Sequence, residues 1–314
     1  MNVSKAIHIL GKCVRSAQSR RHYIFDLQYR LGLLHHMPDE AYLQKIYRVQ
    51  TGKTLHLHPP KTFNEKLQWL KLYDRNPDYT KMADKIEVKR YIAQTLGEDY
   101  VIPTLGVWDD PDDIDFADLP DRFVLKCSHD SGSVIICKDK AALDTASVRT
   151  MLKEYLTRDF YHYTKEWPYK NIPRKVFAEQ YMVDESGTEL KDYKILCFNG
   201  EPKLIELDFN RFSGHKRNIY DLQWNLVPMV IEYPTDDKLK LPKPPKLDEM
   251  LAFARTLSRN IPHVRVDFYS INGNVYFGEL TFFHGSGYYR FIPEAWDGIL
   301  GEWITLPESV QAEP

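Results

Sequence analysis

The stretch VRVDFYSINGNVYFGELTFFHGSG, Val264 to Gly287, constrains this chain more than any other. Val264, Val266 and Phe268 alternate with Arg265, Asp267 and Tyr269, so the segment reads as a strand with one apolar and one charged face. Asn272-Gly273 is a turn signal, and Val275 to Thr281 supplies a return strand bearing Glu279. Two carboxylates and an arginine on one hairpin are costly to bury unless they hold a metal ion or an anion. The competing reading is an edge hairpin with solvated charges.

Facing is a matter of parity, because strand side chains alternate. A two-residue loop at Asn272-Gly273 pairs Asp267 with Gly278 and turns Glu279 to the other face. A three-residue loop brings Asp267 and Glu279 to one face. A site that uses both acids therefore predicts the odd loop, closed by Gly273 in the left-handed region.

The chain has 314 residues, enough for about two domains. A net charge of −2 gives no reason to expect a nucleic-acid binder. Cys13, Cys127, Cys137 and Cys197 are widely spaced, which argues against a disulfide framework or zinc site and suits a reducing cytoplasm. No apolar run reaches the ~18 residues of a membrane span, and Met1 to Leu10 does not read as a signal peptide. Residues 1–36 are basic, and Val3, Ile7, Leu10 and Val14 recur at helical spacing. This is either a helix packed on its own domain or a peripheral contact with the anionic inner face of a membrane.

Thr62 to Glu65 is a capping box that opens a helix through Tyr73, with Phe63, Leu67 and Leu70 inward. A second helix is expected over Met82 to Leu96, with Lys85 and Lys89 one turn apart and solvent their default. The acidic run at 108–121 reads as a surface loop; its alternative is the metal site of a sugar-nucleotide glycosyltransferase. Phe123 to Lys126 and Val134 to Cys137 read as strands around the small loop His129 to Ser133, which can lay N–H groups over phosphates but lacks the P-loop pattern. A helix over Asp144 to Arg158 and a strand over Val176 to Met182 follow. Asp192 to Phe198 and Pro202 to Asp208 form a hairpin around Asn199-Gly200, and Leu247 to Arg259 is helical.

Taken together, TFNEKLQWLKLYD (62–74), ADKIEVKRYI (83–92), VIPTLGVWDD (101–110), LPDRFVLKCSHDSG (119–132), KDYKILCFNGEP (191–202) and the hairpin (264–282) resemble the ATP-grasp superfamily, and within it the TupA-like group associated with cell-surface polysaccharide synthesis. The resemblance covers about residues 55–305. It implies an α+β fold in which two lobes clasp ATP between antiparallel sheets. The expected organisation is an N-terminal helical region at 1–80, a first lobe at 81–175 and a second lobe at 176–314.

The resemblance also implies roles. Lys85 and Lys126 would contact ATP phosphates, under a loop of His129, Ser131, Gly132 and Ser133. Glu179, Gln180, Tyr181 and Met182 would read adenine, Asp192 the ribose, and Lys194 would lie near phosphate. Asp267, Glu279 and Thr281 would hold magnesium, although much of the superfamily has Glu-x-Asn where this chain has Glu279-Leu280-Thr281. Arg265 would face the transferring group. His284, where ligases often have Ser-Pro-Gly, is a candidate acid/base or acceptor contact. Arg211, Lys216, Arg217 and Arg290 are candidate acceptor contacts, with Asn210 to Arg217 as a lid.

The implied chemistry is in-line phosphoryl transfer to a carboxylate, then amide formation by an amine. The acceptor would be a saccharide or lipid-linked saccharide, with an amino acid or amine as partner. A kinase acting on a sugar hydroxyl, with His284 as base, is the alternative; a metal-dependent glycosyltransferase is the second.

Overall fold

The structure of the protein is a computed structural model that describes residues 17–185, 187, 190–210 and 214–308. Its first sheet holds β1 (Thr104–Trp108), β2 (Phe123–Cys127), β3 (Val134–Cys137) and β4 (Val176–Gln180) in the order β1-β4-β2-β3, all antiparallel. Its second sheet contains β5 (Asp192–Phe198), β6 (Glu201–Phe209), β7 (Lys216–Tyr220), β9 (His263–Ile271) and β10 (Asn274–Thr281) in the order β10-β9-β5-β6-β7, also antiparallel. A two-stranded ribbon pairs β8 (Val230–Ile231) with β11 (Phe291–Ile292). The α+β expectation holds. The boundary between the sheets falls after β4, not before it, because Val176 to Gln180 pair with β1 and β2.

Each sheet has an apolar back and a polar front. In the first, Phe123, Leu125, Cys127, Val176 and Ala178 join Val148 and Leu152 of the helix Thr145–Leu156 in one core. Their neighbours Val124, Lys126, Phe177 and Glu179 point the other way, as strand alternation requires, and line a cleft. In the second, Val264, Val266, Phe268, Tyr193, Ile195, Ile205 and Leu207 are buried, and the helix Leu247–Leu257 contributes Met250, Ala254 and Leu257 to the same core. The opposite face carries Asp192, Lys194, Glu206, Asp208, Arg217, Arg265 and Asp267.

The helices Ala17–Arg30, Asp39–Thr51 and Phe63–Tyr73 add their apolar sides to the second core. The capping box at Thr62 forms as expected: Thr62 accepts from the Glu65 amide at 3.2 Å, and Glu65 accepts from the Thr62 amide at 3.1 Å. Val3, Ile7, Leu10 and Val14 lie outside the described residues.

The helix expected over Met82 to Leu96 is broken. Asp78–Ala83 ends at Asp84, whose side chain accepts from the Ile86 amide at 2.8 Å and so starts a new helix, Glu87–Thr95. The lid expected at Asn210 to Arg217 is also overturned at its end: Lys216 and Arg217 begin β7 and pair with β6, while residues 211–213 lie outside the described set.

Candidate active site

The cleft between the two sheets encloses about 420 Å³. Its lining is partly apolar, with Val101, Ile102, Val124, Phe177, Met182, Leu190 and Phe277. Charged residues stand among them, with Lys85, Lys126 and Glu179 on one side and Asp192, Lys194, Asp267 and Glu279 on the other.

The break at Asp84 leaves Lys85 lining the cleft, where its ammonium donates to the Asp130 carbonyl. One turn on, Lys89 Nζ lies 2.7 Å from Glu179 Oε1 and donates to the Ile102 carbonyl at 2.8 Å. Lys126 Nζ lies 2.5 Å from Glu179 Oε2. Glu179 thus bridges two lysines. Burial pushes its carboxyl up, but Lys126 and Lys89 together outweigh burial and hold it below the usual range. Solvent is not the place of Lys85 and Lys89, and Lys89 was missed as a site residue. Its spacing of four from Lys85 was the available signal, although the break at Asp84 leaves Lys85 in the turn before the helix that carries Lys89.

The hairpin resolves the parity question in a way the loop alone does not reveal. The turn is the two-residue Asn272-Gly273, with φ of +51° and +78°, so the odd loop is absent. Asn274 pairs with Ile271 and Phe277 with Phe268, but Leu280 pairs with Val266. Gly278 and Glu279 both stand opposite Asp267 as a β-bulge. The extra residue returns Glu279 to the face of Asp267. A Cβ at Gly278 would meet the Asp267 carbonyl at 3.1 Å and its Cβ at 3.3 Å, so glycine suits the close approach.

Arg265 binds both acids. Its Nε and Nη2 donate to the two oxygens of Asp267 at 2.7 Å each, and Nη2 donates to Glu279 Oε1 at 2.8 Å. Lys194 Nζ donates to Asp192 at 2.8 Å and Asp267 at 2.9 Å. Burial lowers Lys194, yet Asp192 and Asp267 outweigh it and raise it above its ordinary value. Burial raises the Glu279 carboxyl, and Arg265, Lys194 and Lys85 overcome this and lower it. Further along the same sheet, Arg217 Nε donates to Asp208 at 2.7 Å and sits 2.8 Å from Glu206.

Among the described residues this face sets the Asp267 and Glu279 carboxylates side by side, both held by Arg265, and such a pair could hold a divalent cation. Thr281 Oγ1, 3.4 Å from Glu279 Oε1, lies beside them. Among the described residues no three His, Cys, Asp or Glu side chains gather into a complete metal cage. Magnesium is the hard cation that takes one or two carboxylates and completes its shell with water and phosphate oxygens.

Other expected residues fall elsewhere. Ser131 and Gly132 line the cleft, but His129 and Ser133 are buried beneath it; His129 Nε2 lies 3.2 Å from the Arg158 carbonyl, and Ser133 donates to Asp130. Gln180, Tyr181 and Met182 line the cleft. His284 is fully buried, 3.0 Å from Glu206 and edge-on to Tyr289, so it reaches neither the cleft nor an acceptor. Arg217 is engaged with Asp208 and Glu206 and is not a free acceptor contact. Arg290 lines a different cavity, with Lys53 and Glu294. Arg211 lies outside the described residues. The acidic run is exposed, with Asp112 paired to Lys153 and Asp109 to Lys175, which supports a surface loop.

Residues 65–305 match the family model described as TupA-like ATPgrasp. No curated protein matches the chain. Solved structures similar to it include a D-alanine–D-alanine ligase from Bacillus anthracis, 15% identical over 70% of this chain and 59% of that one, with a TM-score of 0.35. A RimK domain ATP-grasp protein from Sphaerobacter thermophilus is 14% identical over 74% of this chain and 70% of that one, TM-score 0.40. The ATP-grasp ligase PsnB, complexed with minimal precursor, Mg and ADP, is 12% identical over 71% and 60%, TM-score 0.38. The chain thus spans less than two thirds of the length of the D-alanine–D-alanine ligase and of PsnB.

Proposed function

Because this chain belongs to the TupA-like ATP-grasp family, we propose that it is an ATP-dependent carboxylate–amine ligase that modifies a cell-surface polysaccharide or its precursor. One observation carries the reading: a single cleft has apolar lining, Phe177 and Met182 among it, and sets Lys85 and Lys126 across from the Asp267–Glu279 pair. Adenine packs against Phe177 and Met182, with the backbone of Gln180 to Met182 at its edge. Lys85, Lys126 and the backbone of Ser131-Gly132 hold the phosphates, and Lys194 lies across from them. Asp192 takes the ribose.

Asp267, Glu279 and Thr281 would hold magnesium, which supplies charge neutralisation at the β- and γ-phosphates when bound. Arg265, locked in plane by Asp267, orients both acids; with Lys194 and Lys85 it holds the Glu279 carboxyl below its usual range, whereas burial outweighs it at Asp267 and raises that carboxyl. In the first step a carboxylate oxygen of the acceptor attacks the γ-phosphorus, the bond to the β-phosphate oxygen breaks, and ADP leaves with its electrons. An amine then attacks the acyl carbon, phosphate leaves, and the amine's proton passes to solvent. The chain's task is to hold charge in place and exclude water between the steps.

The burial of His284 against Glu206 counts against the base of the sugar-kinase reading, and the pairing of Asp112 with Lys153 and of Asp109 with Lys175 counts against the metal site of the glycosyltransferase reading. Hydroxylamine tests the proposal. With ATP, a panel of uronic acids and N-acylated amino acids and no free amine, the correct acid should give hydroxylamine-dependent ADP release and a hydroxamate. A stable phosphorylated sugar with no hydroxamate overturns it. A peripheral membrane contact belongs to the same proposal: Ile24, Leu27, Leu31 and Leu33 are exposed beside Arg20, Arg21 and Arg30.

A further inference from the structure

The two lysines that Glu179 bridges are not equivalent. Glu179 stands on β4, the strand between β1 and β2, and Lys126 lies diagonally from it on β2, where Val124 and Lys126 pair with Glu179 and Phe177. Lys89 comes from outside the sheet, on the helix Glu87–Thr95. Its ammonium has two protein acceptors, Glu179 Oε1 at 2.7 Å and the Ile102 carbonyl at 2.8 Å, and lies 5.5 Å from the centre of the Phe177 ring. Lys126 has one acceptor among the described residues, Glu179 Oε2 at 2.5 Å, and its side chain is the more exposed of the two, 23% against 14%. Two of the three ammonium protons of Lys126 therefore remain for a ligand in the cleft.

That asymmetry divides the work between them. An ammonium that answers a carboxylate and a phosphate at once gives less to each. As phosphates draw on Lys126, the buried carboxylate of Glu179 depends increasingly on Lys89. A buried carboxylate short of counter-charge turns away or takes up a proton, and either change releases Lys126 from the place where Glu179 holds it. The ionisable groups around Glu179 are Lys126 from β2, Lys89 from the helix and Tyr269 from β9 across the cleft. Asp192 and burial raise the Tyr269 phenol well above its ordinary value, so it stays neutral. Lys89 is thus the cation left to Glu179 when nucleotide is present.

We propose that Lys89 is a positioning residue of the nucleotide site: it anchors Glu179, and Glu179 in turn keeps Lys126 aimed at the phosphates once they share its charge. The inference rests on the reading of Lys126 as a phosphate contact. Lys89 acts through Glu179 and makes no nucleotide contact of its own.

A double-mutant cycle on the full chain tests this, with ADP and magnesium as the probe and calorimetry as the measurement. Lys89→Met keeps an apolar stem over Phe177 and should raise the Kd for ADP about tenfold. In a Glu179→Gln background, which has no carboxylate to anchor, the same substitution should cost under about threefold. Protonation supplies a readout that a mere strut would not move. At about pH 6, ADP binding should draw a fraction of a proton more into Lys89→Met than into wild type, read from the buffer dependence of the enthalpy. That excess should vanish in the Lys89→Met/Glu179→Gln pair. Lys89→Arg, which keeps the charge, should bind ADP within about threefold of wild type and without the excess. Equal losses in the two backgrounds would make Lys89 a direct nucleotide contact, and equal proton uptake by wild type and Lys89→Met would make it a strut; either overturns the proposal. The double variant removes both charges together and guards against misfolding of the single one: ADP binding about tenfold weaker in it than in Glu179→Gln overturns the proposal by itself. An unaltered ADP affinity in Lys126→Ala would instead strike the reading on which the proposal rests.

Discussion

Gly278 and Glu279 stand together opposite Asp267, and this one extra residue sets both acids on the face where Arg265 spans them at 2.7 and 2.8 Å. In a regular ladder Glu279 would leave the cleft. Gly278→Val should strain the bulge, because its side chain meets the Asp267 carbonyl and the Tyr269 ring, within 3.3 Å of the added Cβ. We expect a loss of about 1–3 kcal/mol in urea unfolding, with a fall in ATP turnover larger than that of any exposed-loop control. A variant as stable and active as wild type would show that the bulge is incidental.

Lys126→Ala should weaken ADP or ATP binding by about 1.5–3 kcal/mol, roughly ten- to a hundredfold in Kd, by removing a charge-assisted contact. Calorimetry measures this directly. A change under about twofold would take Lys126 out of the phosphate site.

Glu179 makes a pH prediction with a definite sign. Burial raises its carboxyl, but Lys126 and Lys89 hold its folded pKa below the ordinary 4.5. Its stabilising contribution is therefore present above pH 4.5 and lost as pH falls from there through the folded pKa. Glu179→Gln lacks that loss, so the gap in urea midpoint between wild type and variant should narrow from about pH 6 to about pH 3. A gap that stays constant would dissociate Glu179 from the lysines.

Arg265→Ala should do more than slow turnover. It strips two hydrogen bonds from Asp267 and one from Glu279, leaving Asp267 to Lys194 alone. The expected cost is about 3–5 kcal/mol of stability. Arg265→Lys should recover part of the stability but little turnover, since a point charge cannot reproduce the bidentate fork. Chemical denaturation and single-turnover kinetics on the pair separate the two effects.

His284→Gln should cost about 1–3 kcal/mol of stability and leave the pH profile of ADP release unshifted, because the imidazole is buried against Glu206 and Tyr289. Loss of a profile limb in this variant would restore a catalytic role.

At the N-terminus, Leu31 and Leu33 are 64% and 66% exposed. Vesicle binding should require anionic lipid, weaken with salt, and drop in a Leu31→Ser/Leu33→Ser variant. Equal binding to neutral vesicles would remove the electrostatic part of the proposal.

Much of the fold was legible because local signals agreed with burial. The Thr62–Glu65 capping box, the strands at 123–127 and 134–137, and the two hairpins all form where periodicity and turn residues place them. The failures share one cause: a side chain or a neighbour overrode the local pattern. Asp84 caps a helix in the middle of an unbroken helical run. Lys216 to Tyr220, polar at its start and preceded by Ser213-Gly214, joins β6 because Arg217 finds Asp208 and Glu206 there. His284 looked available in a glycine-rich loop, yet tertiary packing closes over it. The bulge leaves no mark beyond one glycine, and a glycine inside a strand has several uses.

Asn64, Gln68 and Lys71, a stripe of the helix Phe63–Tyr73, donate to the carbonyls of Tyr289, Ser286 and Gly287 and so tie two stretches more than two hundred residues apart in sequence into one unit of heredity. Neither side can drift by itself, because each substitution in the helix orphans carbonyls of the loop, and each change in the loop's backbone orphans donors of the helix. Among related chains the helix at 63–73 and the turn at 285–289 should therefore vary in concert. A chimera that exchanges one without the other should inherit a misplaced turn at 285–289.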